Sequence, residues 1–235
     1  MRTLGAVRSV ILGTAALAMG LTALPAVASV VPLSTTTFTL NAGNSALNGY
    51  AGPYGTVTVD LTSSTTANLT YTGGSSGQYT YLFSDSDMAD ANVNASSWTI
   101  GSFTATNLSG FSSEPAGYPL NTGSRTVDGF GTFNQTTKGF DGYKYAASSV
   151  GFTLTNTSGT WADAAGVLTP NTRGYSVAAH IFVCNTSAGA CSPSIGAAAT
   201  GYASVTPVPL PAAGWLFGSG LLGLVGFLVR RGRKA

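Results

Sequence analysis

The densest group of potential metal ligands lies at residues 85–90, DSDMAD, and two asparagines follow it closely. Calcium binds six to eight oxygen atoms from carboxylates, amides and carbonyls, and loops of surface β domains often supply them. Asp85, Asp87 and Asp90 are therefore candidate calcium ligands. The spacing departs from the EF-hand loop at its glycine and glutamate positions. The alternative interpretation is a solvated loop between two strands.

Residues that suggest catalysis are few. Residues 73–77, GGSSG, match the G-x-S-x-G pattern. A nucleophile elbow needs a strand before the serine and a helix after it. Strands are predicted on both sides here, so we interpret the segment as a hairpin turn. His180 is the only histidine, and its neighbours in sequence do not supply both a nucleophile and an orienting carboxylate. A packed or edge-exposed histidine is the alternative to a general base.

Glycoside hydrolysis needs two carboxyl groups at a set separation. The sequence does not show which carboxylates meet in space. The candidates are Glu114, Asp128, Asp141 and Asp163. No catalytic constellation is recognisable, so we expect that the protein is not an enzyme.

Cys184 and Cys191 are the only cysteines. In an exported protein they predict a disulfide bond, because thiols are oxidised outside the cytoplasm. A metal pair or a redox couple is the alternative, but the spacing is not C-x-x-C. The chain-entropy treatment assigns such a short loop about 2–3 kcal/mol of stabilisation.

The strands that must position these groups are predicted from period-two alternation, in which every second residue is apolar. No helical periodicity of helix length appears between residues 29 and 206, and glycine- and asparagine-rich turns separate the alternating runs. The pattern predicts an all-β fold, an antiparallel sandwich or jelly-roll-like single domain. The predicted strands are 56–61, 67–71, 79–83, 98–104, 127–133, 150–155, 175–183 and 199–205.

The chain carries a formal charge of +2, but six of its ten cations lie in the terminal segments. Residues 29–206 contain four cations and eight carboxylates, a net charge of −4. A mildly acidic body has no electrostatic footprint for nucleic acid, so nucleic-acid binding is excluded as an expected function.

The N-terminal segment has the order of a secretory signal peptide. Arg2 and Arg8 precede an apolar stretch at residues 10–24, and a small-x-small site follows it. Ala26 and Ala28 place cleavage by signal peptidase before Ser29. We therefore predict a signal peptide at residues 1–28, in preference to a first transmembrane helix.

The C-terminal segment predicts a membrane span. Residues 212–229 contain no charge, and these eighteen residues would extend about 27 Å as a helix, close to the hydrocarbon thickness of a bilayer. The cations that follow predict a cytoplasmic C-terminus by the positive-inside rule. They are Arg230, Arg231, Arg233 and Lys234. The signal peptide and this helix together place residues 29–206 outside the cytoplasm.

A proline-rich motif stands directly before this helix: Val208, Pro209, Leu210, Pro211 and Ala212. Together with the apolar helix and the basic end, it resembles the PEP-CTERM sorting signal of Gram-negative bacteria in its VPLPA variant. The resemblance covers residues 207–235 and implies processing by an exosortase, a membrane cysteine protease or transpeptidase. Leu210 replaces the acidic residue of the broader family, which leaves the exosortase subtype open. An ordinary tail anchor with incidental prolines is the alternative.

These features predict an exported bacterial surface or extracellular-matrix protein that is membrane-anchored until its tail is processed. We expect a non-enzymatic structural or binding protein, whose partner is exopolysaccharide or a second copy of the chain. Two alternatives remain open at this stage. One is a secreted carbohydrate-active enzyme, and the other is a permanently anchored inner-membrane protein.

Overall fold

The computed structural model describes residues 31–207. This range is all-β and antiparallel, as predicted, and its only helices are four three-residue 3₁₀ turns at Ser45–Leu47, Tyr143–Tyr145, Ala165–Val167 and Ser187–Gly189. The strands are β1 (Ser34–Leu40), β2 (Ala42–Gly43), β3 (Gly55–Ser63), β4 (Thr66–Gly73), β5 (Ser75–Ser76), β6 (Tyr79–Phe83), β7 (Ala89–Ala91), β8 (Trp98–Asn107), β9 (Leu120–Val127), β10 (Gly131–Lys138), β11 (Ala147–Asn156), β12 (Val177–Asn185) and β13 (Ala199–Ser204).

The two terminal predictions lie outside the described residues. These are the signal peptide with its cleavage site at Ala26, Ala28 and Ser29, and the sorting motif, apolar helix and basic end at residues 208–235. Among the helices that residues 31–207 form, none has the length and apolar character needed to cross a bilayer.

Five strands form what we call the first half-sheet, in the order β1, β3, β4, β11 and β8. Each pair is antiparallel, and the β1–β3 pair keeps one register along its length, from Ser34 opposite Leu61 to Leu40 opposite Gly55. Alternation decides which side each residue faces, because successive side chains of a strand point to opposite faces. In β3, Val57, Val59 and Leu61 are buried while the intervening residues are half-exposed.

The other strands form the second half-sheet, in which β12 is central. One edge of β12 pairs with β6 and β7 in turn, and its other edge pairs with β13. Strand β7 also pairs with β10, which forms a hairpin with β9, and β13 pairs with β2. The pair Ala147–Phe83, between β11 and β6, connects the two half-sheets.

One main core receives side chains from both half-sheets, which gives the fold its β-sandwich-like character. The first half-sheet contributes Leu69 and Tyr71, and the second contributes Phe83, Ile181 and Val183, all fully buried. Burial of a large apolar side chain contributes about 1.5–3 kcal/mol, so these contacts supply much of the stability. The buried Tyr71 hydroxyl donates a hydrogen bond of 2.6 Å to the Asp90 carbonyl oxygen, which joins the half-sheets by a polar contact.

The second half-sheet is covered on its outer side as well. Alternate residues of β12 face away from the main core and enter two smaller apolar clusters, one around Phe182 and Cys184 and one around Ala178 and Phe133. A disulfide joins Cys184 to Cys191, with the Cα atoms 5.1 Å apart. The outward face of β12 therefore lies beneath loops and the β9–β10 hairpin instead of facing solvent directly.

The predicted strand at residues 127–133 is wrong as a single element. The structure ends β9 at Val127 and begins β10 at Gly131, and Phe130 donates its backbone N–H to the Val127 carbonyl across the turn. Gly129 has φ 84° and Gly131 has φ 88°, a left-handed conformation that glycine adopts without a steric penalty. The Asp-Gly dipeptide thus forms the tip of the β9–β10 hairpin.

Candidate functional site

The candidate calcium ligands surround a tight turn that connects β6 to β7. Asp85 and Asp87 have φ values of 64° and 57°, which are unusual for residues other than glycine. One Asp85 carboxylate oxygen accepts the Ser86 backbone N–H at 2.6 Å. Met88 ends the turn, and its side chain is fully buried. It packs against Gly139, where an added Cβ atom would collide with the Met88 methyl group.

Asp87 is held by an ion pair. Its side chain is only 8% exposed, and one of its oxygens lies 2.9 Å from Arg125 Nε of β9, a side chain that is 46% exposed. This contact lacks the alignment of a hydrogen bond, because the same oxygen has no hydrogen-bond partner. The other oxygen receives a long contact of 3.4 Å from the Tyr202 hydroxyl of β13. A charge on Asp87 is therefore balanced mainly by Arg125.

Asp90 is completely buried, and neither of its carboxylate oxygens has a hydrogen-bond partner. Burial raises the pKa of this carboxyl well above its ordinary value. The nearby Thr136 hydroxyl lowers this pKa, Asp87 raises it, and Arg125 lowers it, all to a smaller extent. The Thr136 hydroxyl is close to the carboxyl but outside hydrogen-bond geometry. The environment therefore favours the neutral acid.

His180 lies beside this turn on β12. Its backbone N–H donates to the Asp87 carbonyl at 2.9 Å, and its ring stacks on Tyr202 with the centroids 4.6 Å apart. The residue is 9% exposed, and Nδ1 has no partner. Burial lowers the pKa of the imidazole, whereas Asp85 and Asp87 oppose this shift. A neutral ring with one unpaired nitrogen is chemically able to accept a proton.

We call Asp87, Asp90, Arg125, His180 and Tyr202 the buried polar cluster, after its buried aspartates and histidine; Tyr202 is half-buried and Arg125 reaches solvent. The sequence identified the two aspartates and the histidine as separate candidates, but their proximity depends on strand pairing. It missed Arg125 and Tyr202, which come from β9 and β13. Tyr202 is the direct β12–β13 partner of His180, and burial raises the pKa of its hydroxyl to about 12. This tyrosine is therefore neutral at ordinary pH.

The described residues include no group of three histidine, cysteine or acidic side chains arranged to hold a metal ion. Asp85 accepts a hydrogen bond from its own turn, Asp87 pairs with Arg125, and Asp90 sits where the neutral acid is favoured. Calcium binding at these three residues stays a prediction.

Among the described residues, the other catalytic candidates make no hydrogen bond to this cluster, although Glu114 lies beside the turn: a Cβ atom built at Gly139 would be 2.7 Å from Glu114 Oε1 and 3.2 Å from the Asp85 backbone nitrogen. Residues 73–77 pass from β4 through β5 to β6, so no helix follows Ser75 in this segment. Three of the four candidate glycosidase carboxylates accept hydrogen bonds, each from a different residue. Glu114 accepts the Phe140 N–H at 2.7 Å, Asp128 accepts from Asn44, and Asp163 accepts from Gly166. No hydrogen-bond partner in residues 31–207 links any two of the four.

The outer face of the first half-sheet is a second candidate site, which the sequence analysis did not single out. Strand pairing aligns Thr37, Thr58, Thr70, Gly151 and Thr104 in one row across all five strands. We call the surface formed by this row and its two neighbours the threonine face. The other residues are Thr39, Thr56, Thr72, Ser149 and Thr106 in one row, and Thr35, Asp60, Asn68, Thr153 and Gly101 in the other; Ser102 follows Gly101 at an irregularity in the β8–β11 pairing.

The threonine face is almost free of charge, since Asp60 is its only ionisable residue. Rows are about 6.8 Å apart along the strands, and neighbouring strands are about 4.8 Å apart, so the hydroxyls are closely and regularly spaced. Two side-chain pairs bond within the face: Thr35 donates to Asp60 at 2.6 Å, and Thr153 donates to Asn68 at 2.8 Å. The hydroxyls of Thr58, Thr70 and Thr104 make no hydrogen bond to the described protein atoms.

Gly151 interrupts the central row and leaves a groove of about 300 Å³. We call it the Gly151 groove; its polar side chains are Asn68, Thr70, Ser102, Thr104 and Thr153. A methyl group built at Gly151 would lie 2.7 Å from the Thr104 hydroxyl oxygen, so glycine is what keeps the groove open. The volume is at the lower end of ligand pockets.

A larger, shallower depression of about 420 Å³ lies between the loops that follow β7 and β11. Each of its two amide side chains has one atom engaged within the protein: Asn94 Nδ2 donates to the Gly166 carbonyl at 2.9 Å, and Asn156 Oδ1 accepts the Ser158 N–H at 3.0 Å. The Gly151 groove is less open and continues into the regular hydroxyl rows of the threonine face, so it is the stronger binding candidate. Comparison of the chain with protein-family models, curated proteins and solved structures found no match.

Proposed function

We propose that this chain is an exported bacterial surface or extracellular-matrix protein whose β-rich body acts as a non-enzymatic binding module. The signal-peptide pattern and the PEP-CTERM-like tail support export, transient anchoring and release by an exosortase-type enzyme. The single structural observation that supports a binding role is the threonine face, which is open, regular and nearly uncharged. Hydroxyl groups both donate and accept hydrogen bonds, as the hydroxyls of a matrix polymer also do.

A two-layered sandwich, in a jelly-roll-like arrangement, is part of this proposal. Its support is the main core, to which both half-sheets contribute fully buried side chains. In such a domain, one open sheet face is available to a matrix while the other half-sheet is covered by its own loops. This division suits a protein that is delivered to a surface and held there by repeated weak contacts.

Intact-mass analysis and C-terminal peptide mapping of the native protein, by cell fraction, test the delivery. A surface or secreted form that begins at Ser29 and ends within residues 207–212 supports the proposal. A membrane form that still ends in Arg233, Lys234 and Ala235 refutes tail processing and leaves a permanently anchored protein.

The buried polar cluster favours a second candidate function, a secreted carbohydrate-active enzyme. His180 carries an unpaired ring nitrogen beside Asp87 and Tyr202, which is the kind of group used in general acid–base catalysis. Incubation of matrix polysaccharide with the purified protein and with a His180→Gln variant separates the two functions. Loss of polysaccharide mass with the wild type alone favours the enzyme, whereas unchanged mass with both favours the binding module.

A further inference from the structure

We propose that the Gly151 groove binds an uncharged sugar unit of a polysaccharide that lies across the threonine face. This inference rests on the proposed binding role and specifies its site and ligand class. The groove is open because a glycine occupies the middle of the central row, where every other strand places threonine. The sheet thus has a depression at one defined position while its remaining surface stays flat.

The polar groups of the groove fit a ligand rich in hydroxyls. Thr153 donates its hydroxyl hydrogen to Asn68 Oδ1, which leaves the Asn68 amide nitrogen free to donate to a ligand. The Thr70 and Thr104 hydroxyls are also free and can donate or accept. Threonine methyl groups between them offer small apolar contacts to the C–H groups of a sugar ring. A neutral sugar needs hydrogen-bond donors, hydrogen-bond acceptors and small apolar contacts, and the groove supplies all three.

The near absence of charged side chains favours an uncharged polymer. The groove contains no ionisable side chain, and the threonine face contains only Asp60. A uronic-acid or sulfated polymer would lose hydration at its anionic groups without gaining a cation, which is unfavourable. A neutral polymer loses only hydroxyl hydration, which the free hydroxyls and the Asn68 amide restore.

The composition of the face argues against a second copy of the chain as the occupant. Stable protein interfaces have an apolar centre in which aromatic and arginine side chains carry most of the binding energy. The fifteen positions of the threonine face include no aromatic, arginine or large aliphatic residue. Burying two such faces against each other would remove water from many hydroxyls with little apolar gain.

Binding at one groove is expected to be weak, because no aromatic ring on the face can stack on the sugar. A polymer presents the same unit many times, so rebinding of neighbouring units raises the apparent affinity by multivalency. We therefore expect retention by polysaccharide to be much stronger than binding to a hexasaccharide. Soluble polymers and oligosaccharides of the same sugar measure this difference directly.

The experiment is affinity electrophoresis of the purified full-length chain in detergent, through gels containing dextran, glucomannan, xylan or alginate. The informative variant is Gly151→Val, which fills the groove with a β-branched residue suited to a strand. Its matched control is Gly159→Val in the exposed loop after β11, because a side chain there would meet only the Asn156 amide nitrogen, at 3.9 Å, and lies off the threonine face. We expect at least one neutral polymer to retard the wild type and Gly159→Val, and Gly151→Val to bind about tenfold more weakly.

A second variant, Asn68→Ala, tests the groove independently in case Gly151→Val misfolds. Asn68 is exposed, so alanine there should leave the backbone unchanged. We expect a several-fold weaker retardation from the lost amide donor. The inference is overturned if none of the neutral polymers retards the wild type, if alginate does so preferentially, or if both groove variants bind like the wild type. It is also overturned if the wild type forms a dimer that Gly151→Val abolishes.

The outcome is separable from that of the proposed delivery. A correctly processed surface protein that binds no neutral polymer refutes the groove assignment alone. A protein that keeps its C-terminal tail but binds through the groove refutes the delivery alone.

Discussion

The outer sides of the two half-sheets differ in both charge and exposure. The first half-sheet presents threonine hydroxyls to solvent with one carboxylate, Asp60, among them. The second half-sheet buries Asp87, Asp90 and His180 beneath the β9–β10 hairpin and neighbouring loops. The difference indicates that the pH dependence of stability arises in the second half-sheet, whereas the threonine face is nearly independent of pH. Four predictions test this division.

The largest effect is expected from Arg125→Met, which removes the cation paired with Asp87. Loss of one partner from a fully buried pair costs about 3–5 kcal/mol. Because Arg125 is 46% exposed, solvent screening reduces the expected loss in the free energy of unfolding to about 1–3 kcal/mol at pH 7. Urea unfolding measures it. Lys144→Met is the control, since Lys144 lies over the Tyr145 ring and has no carboxylate partner. Equal losses in the two variants would contradict the role of the ion pair.

The second prediction concerns Asp90→Asn. The pKa of Asp90 is raised in the folded protein, so its contribution to stability is present below its unfolded pKa of about 3.9 and lost as pH rises through the folded pKa. Asparagine cannot ionise. The variant should therefore gain stability relative to the wild type as pH rises, by about 1–2 kcal/mol at pH 8. Unfolding free energies at pH 4 and pH 8 provide the check, and a constant difference would show that Asp90 does not titrate with unfolding.

A smaller effect is expected from His180→Gln, and its gain in stability relative to the wild type should appear as pH falls, not as pH rises. The pKa of His180 is lowered by burial, so its contribution is present above the unfolded pKa of about 6.5 and lost as pH falls through the folded pKa. The variant should lose less stability than the wild type below pH 6. The carboxylates Asp85 and Asp87 oppose the shift, which keeps the effect below that of Asp90→Asn. Parallel unfolding curves for the two proteins from pH 7 to pH 5 would refute this.

The smallest effect is expected from Thr58→Val at the centre of the threonine face. The substitution removes a hydroxyl that has no protein partner and keeps the branched shape, so the free energy of unfolding should change by no more than about 0.5 kcal/mol. The change should be the same at pH 4, 6 and 8. A pH-dependent effect of Thr58→Val would show that the two half-sheets are coupled electrostatically.

The sequence predicted the strands in which apolar and polar residues alternate clearly. In β3, for example, Val57, Val59 and Leu61 define the buried face. The sequence missed β1, where three consecutive threonines precede Phe38, and β9, whose LNTGSRTV segment has almost no apolar residue. Those strands form through pairing with neighbours, and single-sequence periodicity carries no information about partners. Their identification needed the antiparallel register.

The candidate sites were predictable to different degrees. Asp85, Asp87, Asp90 and His180 could be identified by residue type, but their assembly depends on the turn between β6 and β7 and on the pairing of β7 with β12. The threonine face could not be identified from the sequence analysis, because its residues come from five separate segments. Only the register shows that Thr58, Thr70 and Gly151 are neighbours and that a missing side chain creates a groove.

The burial of Met88 has a consequence for how the protein responds to oxidants. Met88 ends the turn that carries Asp85 and Asp87; it is the only methionine among residues 31–207, and its side chain is fully buried beside Gly139. Peroxide converts methionine to the polar sulfoxide only when it reaches the sulfur. The rate at which Met88 acquires an oxygen atom therefore reports how often this turn opens. The modified fraction of one peptide, measured in aged protein, would therefore record how often the domain opened locally over its lifetime.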